Sequence, residues 1–216
     1  MQPMVVKKID SMVKNHPEQR PAIKLLSKPV SILKLLNAAL NRPPLLAAMG
    51  TCDTTGSSRV RMVVIRKVDQ AGASVYACTD FNSTKIDEID RAAQGELCFW
   101  LPESRIQIRL LVRWTVLNMR TPAGRNKKSR QLCESLWAGL SPASRRLFDG
   151  APPGLINQKK GGCKPAGNTM DMPPVNFAVL AGRILAIDAL AIVEPEHVRF
   201  AHRKTNKSWK STRMAP

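Results

Sequence analysis

The sequence predicts a mainly β protein, an antiparallel β-barrel decorated with two or three helices. Short apolar and β-branched runs, separated by turn residues at hairpin spacing, fill residues 45–117 and 175–214. In residues 105–117, Ile106, Ile108, Leu110 and Val112 alternate with Gln107, Arg109 and Arg113, the period of two of a half-buried strand. Helical spacing is confined to a few stretches, too few for a helix-led fold. Closing such a sheet into a barrel removes edges that would template aggregation.

Residues 31–41 predict a helix, with Ile32, Leu35, Leu36 and Leu40 at helical spacing and Ser31 placed to cap it; Pro43 and Pro44 end it. A strand at 45–52 leads into the turn Asp53-Thr54-Thr55-Gly56, where glycine supplies a positive φ. Strands at 59–68 and 73–79 flank a second turn, Asp69 to Gly72. Asn82-Ser83-Thr84 starts a helix that buries Ile86 and Ile89. Strands at 96–101 and 105–117 form the next hairpin, and 126–140 predicts a helix with Leu132, Leu136 and Leu140 on one side. Pro152-Pro153-Gly154 breaks the chain, and the Gly-, Lys- and Pro-rich segment 159–174 is expected to be a mobile surface loop. Strands at 175–181, 184–193, 197–203 and 208–214 close the sheet. Residues 1–29 read as a basic extension, disordered or holding one short helix, and 30–216 as a single domain.

At 216 residues the chain is long enough for one sizeable core, and 44% hydrophobic residues excludes a disordered class. The outlier is a formal net charge of +18. Such a surplus attracts phosphorylated cofactors, nucleic acid or an anionic membrane surface, and does not choose among them. Five cysteines (Cys52, Cys78, Cys98, Cys133, Cys163) are scattered without a CxxC pair, which predicts free, mostly buried thiols in a reducing compartment. Three histidines, none at ligand spacing to a cysteine, argue against a zinc site, and no metal is expected. No secretory signal is visible, and Asp10 and Glu18 argue against a transit peptide; a cytoplasmic location is expected, with a plastid or other organelle left open. The longest apolar stretch, 176–193, is interrupted by Arg183 and Asp188 and is not read as a membrane span.

Three segments carry chemistry. In Arg59-Val60-Arg61-Met62-Val63-Val64-Ile65-Arg66, Arg59 and Arg61 share a strand face and Arg66 has the opposite parity. Their guanidinium forks suit phosphate; a solvated basic strand is the plainer reading. One hairpin later, Thr79-Asp80-Phe81-Asn82-Ser83-Thr84-Lys85 brings hydroxyls, helix-start N–H groups and one ammonium together, a good phosphate seat and equally a simple helix cap. Near the C-terminus, His197 and Arg199 sit two residues apart, before a Trp209-bearing strand that stops at Ala215-Pro216.

Together these segments resemble the pyridoxamine 5'-phosphate oxidase family, FMN enzymes built on a Greek-key split β-barrel. The wording from Glu96 to Glu103, then Gln107-Ile108-Arg109, is similar to a less-characterised cyanobacterial and plant-type branch. The family carries an Arg-x-Val-x-x-basic strand, a Thr-x-x-x-Ser-x-Lys turn, a later Gln, and Arg-x-His-x-Arg near the end. Here those positions resemble Arg61 through Arg66, Thr79 through Lys85, Gln107, and His197 with Arg199. The resemblance implies FMN as cofactor, its phosphate held by Arg61 and Lys85 with Thr79, Ser83 and Thr84. It places Met62, Val63 and Val64 along the flavin through backbone groups, with Arg66, Gln107 and Arg199 also at the cofactor. It gives Arg66 and His197 to a small phosphorylated substrate, with His197 the catalytic side chain. It further implies a homodimer with FMN at the interface, no membrane partner, and oxidation of a phosphorylated amine or alcohol to an aldehyde with O2, as in pyridoxal phosphate formation in vitamin B6 metabolism.

The chain departs from that pattern. Pro195 replaces the first Arg of Arg-x-His-x-Arg, Thr84 stands where a second phosphate-binding Arg is typical, and 188–191 lacks a Trp. The residues that grip the substrate phosphate have no clear counterpart, Arg130 being a weak one. FMN binding is therefore better supported than the oxidase activity, and a flavin-binding reductase or carrier is the alternative. A basic nucleic-acid-binding barrel ranks third. Clusters at 125–130 and 203–207 favour it, while 5% aromatics and a single Tyr, Tyr76, oppose it.

Overall fold

The computed structural model describes residues 19–41, 44–150, 153–154, 172–206 and 208–216. The helices are α1 (Arg20–Leu26), α2 (Pro29–Ala39), α3 (Thr84–Arg91), α4 (Pro122–Arg125), α5 (Lys127–Ala138) and α6 (Pro142–Arg145). The strands are β1 (Leu46–Cys52), β2 (Ser58–Asp69), β3 (Ser74–Asp80), β4 (Gln94–Leu101), β5 (Ile106–Leu117), β6 (Phe177–Ala191), β7 (Val198–Lys204) and β8 (Trp209–Met214).

All neighbouring strands are antiparallel, in the order β3-β2-β1-β4-β5-β6-β7-β8. A further pairing of β3 with β6 closes the first six strands into a barrel. β1 to β3 form a meander, and β4 returns through α3 to lie beside β1, which is the Greek-key order. β7 and β8 continue outward from the far half of β6 as a flap.

β6 is one strand of 15 residues where two were expected. The gap expected at 182–183 is absent, and Gly182 is a packing position. A Cβ there would lie 2.7 Å from Cζ3 of Trp114, whose ring fills the space. The strand bends instead at Leu185, which is skipped where β6 partners step from Ala186 to Ile184. Near Phe177–Arg183 it pairs with β3; near Ala186–Ala191 it pairs with β7.

The helix expected at 31–41 begins two residues earlier. Pro29 occupies its first turn with a fixed φ, and Lys28 precedes it with no side-chain cap, so Ser31 does not cap it. Residues 20–26, expected in the N-terminal extension, form α1, whose Leu26 is fully buried with Ile32, Leu33 and Leu36 of α2. Residues 1–18 and 159–171 lie outside the described residues. The barrel interior forms one core with α1 and α2; a second lies under α5, where Trp137, Phe148 and Phe177 meet edge to face at 5.2 to 5.6 Å. Of the four described cysteines only Cys133 is buried; Cys52 is exposed and Cys78 and Cys98 are partly so, against the expectation of mostly buried thiols. No described helix is long and apolar enough to cross a membrane.

Candidate functional site

β2 pairs with β1 from Ser58 through Val64 but with β3 only from Ile65 through Asp69. β3 pairs with β6 along its whole length, Ser74 to Asp80, but with β2 only as far as Ala77. The two strands thus split apart, and among the described residues the 58–64 edge of β2 facing β3 has no strand partner. Arg66 is the cause in sequence terms: partners step from Ala77 opposite Ile65 to Tyr76 opposite Lys67, leaving Arg66 as the bulge residue. A bulge sharpens the local twist and re-aims its side chain, which places Arg66 at a bend inside β2 rather than near a strand end.

The start of α3 faces this split. Lys85 Nζ donates to Thr79 Oγ1 at 2.9 Å and to Ser83 Oγ at 2.5 Å. Its ammonium titrates below the ordinary lysine value, first because burial penalises the charge and then because the Arg61 cation lies close. Arg61 donates from Nη2 to Glu88 Oε2 at 2.5 Å and from Nη1 to Thr51 Oγ1. Thr51 Oγ1 donates to the same Glu88 oxygen at 2.5 Å. Glu88 and Thr51 are each only 6% exposed. Arg59, on the same face, is taken by the β1–β2 turn, with Nη2 2.7 Å from Asp53 Oδ2. Asp80 accepts from Asn82 N at 2.7 Å and from Asn176 Nδ2 at 2.7 Å, fixing the turn before the helix. Thr84 is exposed as the first residue of α3.

Arg61, Thr79, Ser83 and Lys85 therefore come together, with two cations, two hydroxyls and the N-terminus of α3, a donor set for a phosphate monoester. Glu88 and Thr51 belong to it and were not singled out in the sequence. Both carried a signal: Glu88 follows Lys85 by three residues on a helix, and Thr51 shares the period-two face of Ala47 and Met49.

The other expected residues lie elsewhere in the chain. Register places Val64 and Leu46 opposite each other, and Trp100, Gln107, Leu190, Arg199 and Met214 in line across β4 to β8. The pairing of Ala48 with Cys98 sets Leu46 in the row of Trp100. This row crosses the outer face of the sheet, where Val60, Met62, Leu46, Trp100 and Met214 are 42 to 72% exposed. Arg199 there is bound to Asp188 by two hydrogen bonds of 3.1 and 2.9 Å, which raise its pKa further. His197 precedes β7 rather than lying in it, is exposed, and sits 3.3 Å through Nδ1 from the Val193 carbonyl. Thr79 is opposite Ala178 and Arg199 opposite Leu190, twelve residues further on β6. At ~3.3 Å per residue that is about 40 Å along the strand.

Two thiols, Cys78 and Cys133, are disfavoured as thiolates. Burial pushes Cys78 up to about 12 and Cys133 up to about 11. Among the described residues, no three His, Cys, Asp or Glu side chains cluster as metal ligands.

Residues 31–118 match the family model described as the pyridoxamine 5'-phosphate oxidase FMN-binding domain. The chain is similar to pyridoxine/pyridoxamine 5'-phosphate oxidase 2 of Arabidopsis thaliana, 24% identical over 159 residues that make up 74% of each protein. It shares its fold with a pyridoxamine 5'-phosphate oxidase-related FMN-binding protein of Nostoc punctiforme, at TM-score 0.75 and 23% identity, covering 93% of this chain and 98% of that one. PhzG of Burkholderia lata, solved with tetrahydrophenazine-1-carboxylic acid, aligns at TM-score 0.72 and 18% identity over 88% of this chain and 93% of that one.

Proposed function

Since the chain belongs to the pyridoxamine 5'-phosphate oxidase-like family of FMN-binding split barrels, we propose that it is an FMN-dependent oxidoreductase. The observation that carries this reading is the convergence of Arg61, Thr79, Ser83 and Lys85 beside the unpartnered edge of β2. The donor set fits a phosphate, and the free backbone edge at Met62, Val63 and Val64 offers N–H and C=O groups to a flavin ring. When bound, FMN would supply the hydride chemistry.

This chain's residues have separate tasks. Lys85 and Arg61 hold the phosphate charge, Thr79 and Ser83 aim Lys85, and Thr84 opens the helix. Gln107, Arg199 and His197 orient the ring and the substrate from a second copy of the chain. In this reading a second copy supplies them, since Thr79 and Arg199 stand opposite β6 positions twelve residues apart. The exposed apolar side chains Met62, Leu46, Trp100 and Met214 on one outer face fit a homodimer interface. His197, exposed just before β7, offers its imidazole as a hydrogen-bonding group to the substrate. Arg66, re-aimed by its bulge, faces a small phosphorylated amine or alcohol, whose oxidation to an aldehyde with O2 is the finer reading. A flavin reductase or carrier is the second reading, favoured by Arg199 being already occupied by Asp188.

The test is the visible spectrum after FMN addition and desalting. Wild type should keep a flavin band and Lys85→Met should bind FMN roughly hundredfold more weakly, having lost a charge-assisted phosphate contact. Arg61→Ala is the poorer probe, because it leaves buried Glu88 without its cation, a destabilisation of about 3–5 kcal/mol. No flavin band, or equal retention in Lys85→Met, would sink the reading. Peroxide production from pyridoxamine 5'-phosphate under air separates oxidase from reductase or carrier.

A further inference from the structure

We propose that Glu88 is a positioning residue and charge counterweight for the phosphate cradle. It fixes the Arg61 guanidinium, and its carboxylate holds the affinity for a phosphate monoester below what two unopposed cations would give. The inference rests on reading the cradle as the FMN-phosphate site.

Three observations carry it. First, Glu88 is a buried carboxylate whose described partners are Arg61 and Thr51, and these two also bond each other. The three side chains form a closed triangle from β1, β2 and α3, so the guanidinium orientation is set before any ligand arrives. Second, Arg61 spends one N–H of each terminal nitrogen on this triangle. A guanidinium has about five donors, so roughly three remain for a ligand. The Arg61 side chain is 23% exposed while that of Glu88 is 8% exposed. The cation reaches the split and its anchor does not. Third, the Arg61 cation opposes the charge on Lys85, and Glu88 acts more strongly than Asp80 among the two carboxylates that offset it.

An incoming phosphate therefore meets two positive charges and one fixed negative charge at the Arg61 side. Removing the charge while keeping the shape strengthens attraction to a dianion. Removing the whole side chain frees the guanidinium and loses orientation. The two substitutions act in opposite directions, which a merely structural carboxylate would not produce.

The experiment titrates the full-length protein with FMN and, separately, with riboflavin, which lacks the phosphate. Glu88→Gln keeps an acceptor for Arg61 and Thr51, and should bind FMN about tenfold more tightly at neutral pH, by loss of one opposing charge a few ångströms from the phosphate. Glu88→Ala should bind FMN several-fold more weakly than wild type. Riboflavin affinity should be the same in all three. Weaker or unchanged FMN binding by Glu88→Gln, or parallel changes for riboflavin, would overturn the proposal. Lys85→Met separates the two failures. If it weakens FMN binding while Glu88→Gln does not tighten it, only the role of Glu88 falls; if it too is without effect, the cradle reading itself has failed. Should Glu88→Gln not fold, Thr51→Val is the substitute: it keeps the charge, drops one hold on Arg61, and should weaken FMN binding several-fold without affecting riboflavin, unchanged FMN affinity overturning the positioning role.

Discussion

The cradle at the β2–β3 split and the β7–β8 flap are built in opposite ways. In the cradle, each cation is aimed by partners no more than 27 residues away: Lys85 by Ser83 and Thr79, Arg61 by Thr51 and Glu88. The flap is held from far away. Gln19 Nε2 donates to the Glu196 carbonyl at 2.7 Å, beside His197. His202, 1% exposed, donates from Nε2 to the Leu26 carbonyl at 2.8 Å, leaving Nδ1 to accept from Ser211 Oγ at 2.8 Å. The N-terminal helix is thus a brace for the strand that carries Arg199. The difference teaches that the cradle is assembled within one stretch of the chain, while the flap depends on the N-terminal helix for its place.

The sharpest way to break this comparison is to separate two copies. Trp100→Glu puts a charge in the middle of the exposed apolar row, where a buried unpaired charge costs several kcal/mol. Light scattering should show a folded monomer, and FMN affinity should fall by about a hundredfold or more. Dimers with normal flavin affinity would contradict the interface.

A smaller effect sharpens the cradle side. Burial and Arg61 lower the Lys85 pKa from the ordinary 10.5, so its charge is lost earlier as pH rises. FMN affinity measured by titration from neutral to alkaline pH should therefore decline before ordinary lysines titrate, and Lys85→Met should remove that step. A curve identical in Lys85→Met would place the titration elsewhere.

The smallest effect concerns the flap. Burial lowers the His202 pKa below its ordinary 6.5, the Leu26 carbonyl and Asp188 opposing it. The unfolded chain then binds the proton more readily, so the stability from this histidine is full above about 6.5 and lost as pH falls through the lowered value. Melting temperature should drop by a few degrees on acidification below pH ~6, and His202→Gln should show a shallower dependence. An equal slope in both would assign the acid sensitivity to other groups.

Much of the barrel was legible because its signals are local. The alternation from Ile106 to Val112, the turns at Gly56 and Gly72, and Ile86 with Ile89 on α3 each report a neighbourhood of a few residues. What was missed depends on distant partners. Residues 182–183 read as a gap between two strands until Trp114, from β5, is laid on Gly182. Residues 20–26 read as a polar extension until Leu26 is seen under β7. In the site, Arg61 and Lys85 were legible as candidates because arginine and lysine announce charge, and the structure brings them together. Glu88 was not, since a carboxylate on a short helix looks solvated until the Arg61 guanidinium is placed over it.

The measurement that tests the account most directly is complementation between two defective chains. Lys85→Met disables the cradle, and His197→Ala with Arg199→Ala disables the flap. Co-expressed with different tags and purified as the mixed dimer, they should regain one FMN site of wild-type affinity per dimer, formed by the intact cradle of one chain and the intact flap of the other. A mixed dimer that binds FMN no better than either parent would contradict a site shared between two copies.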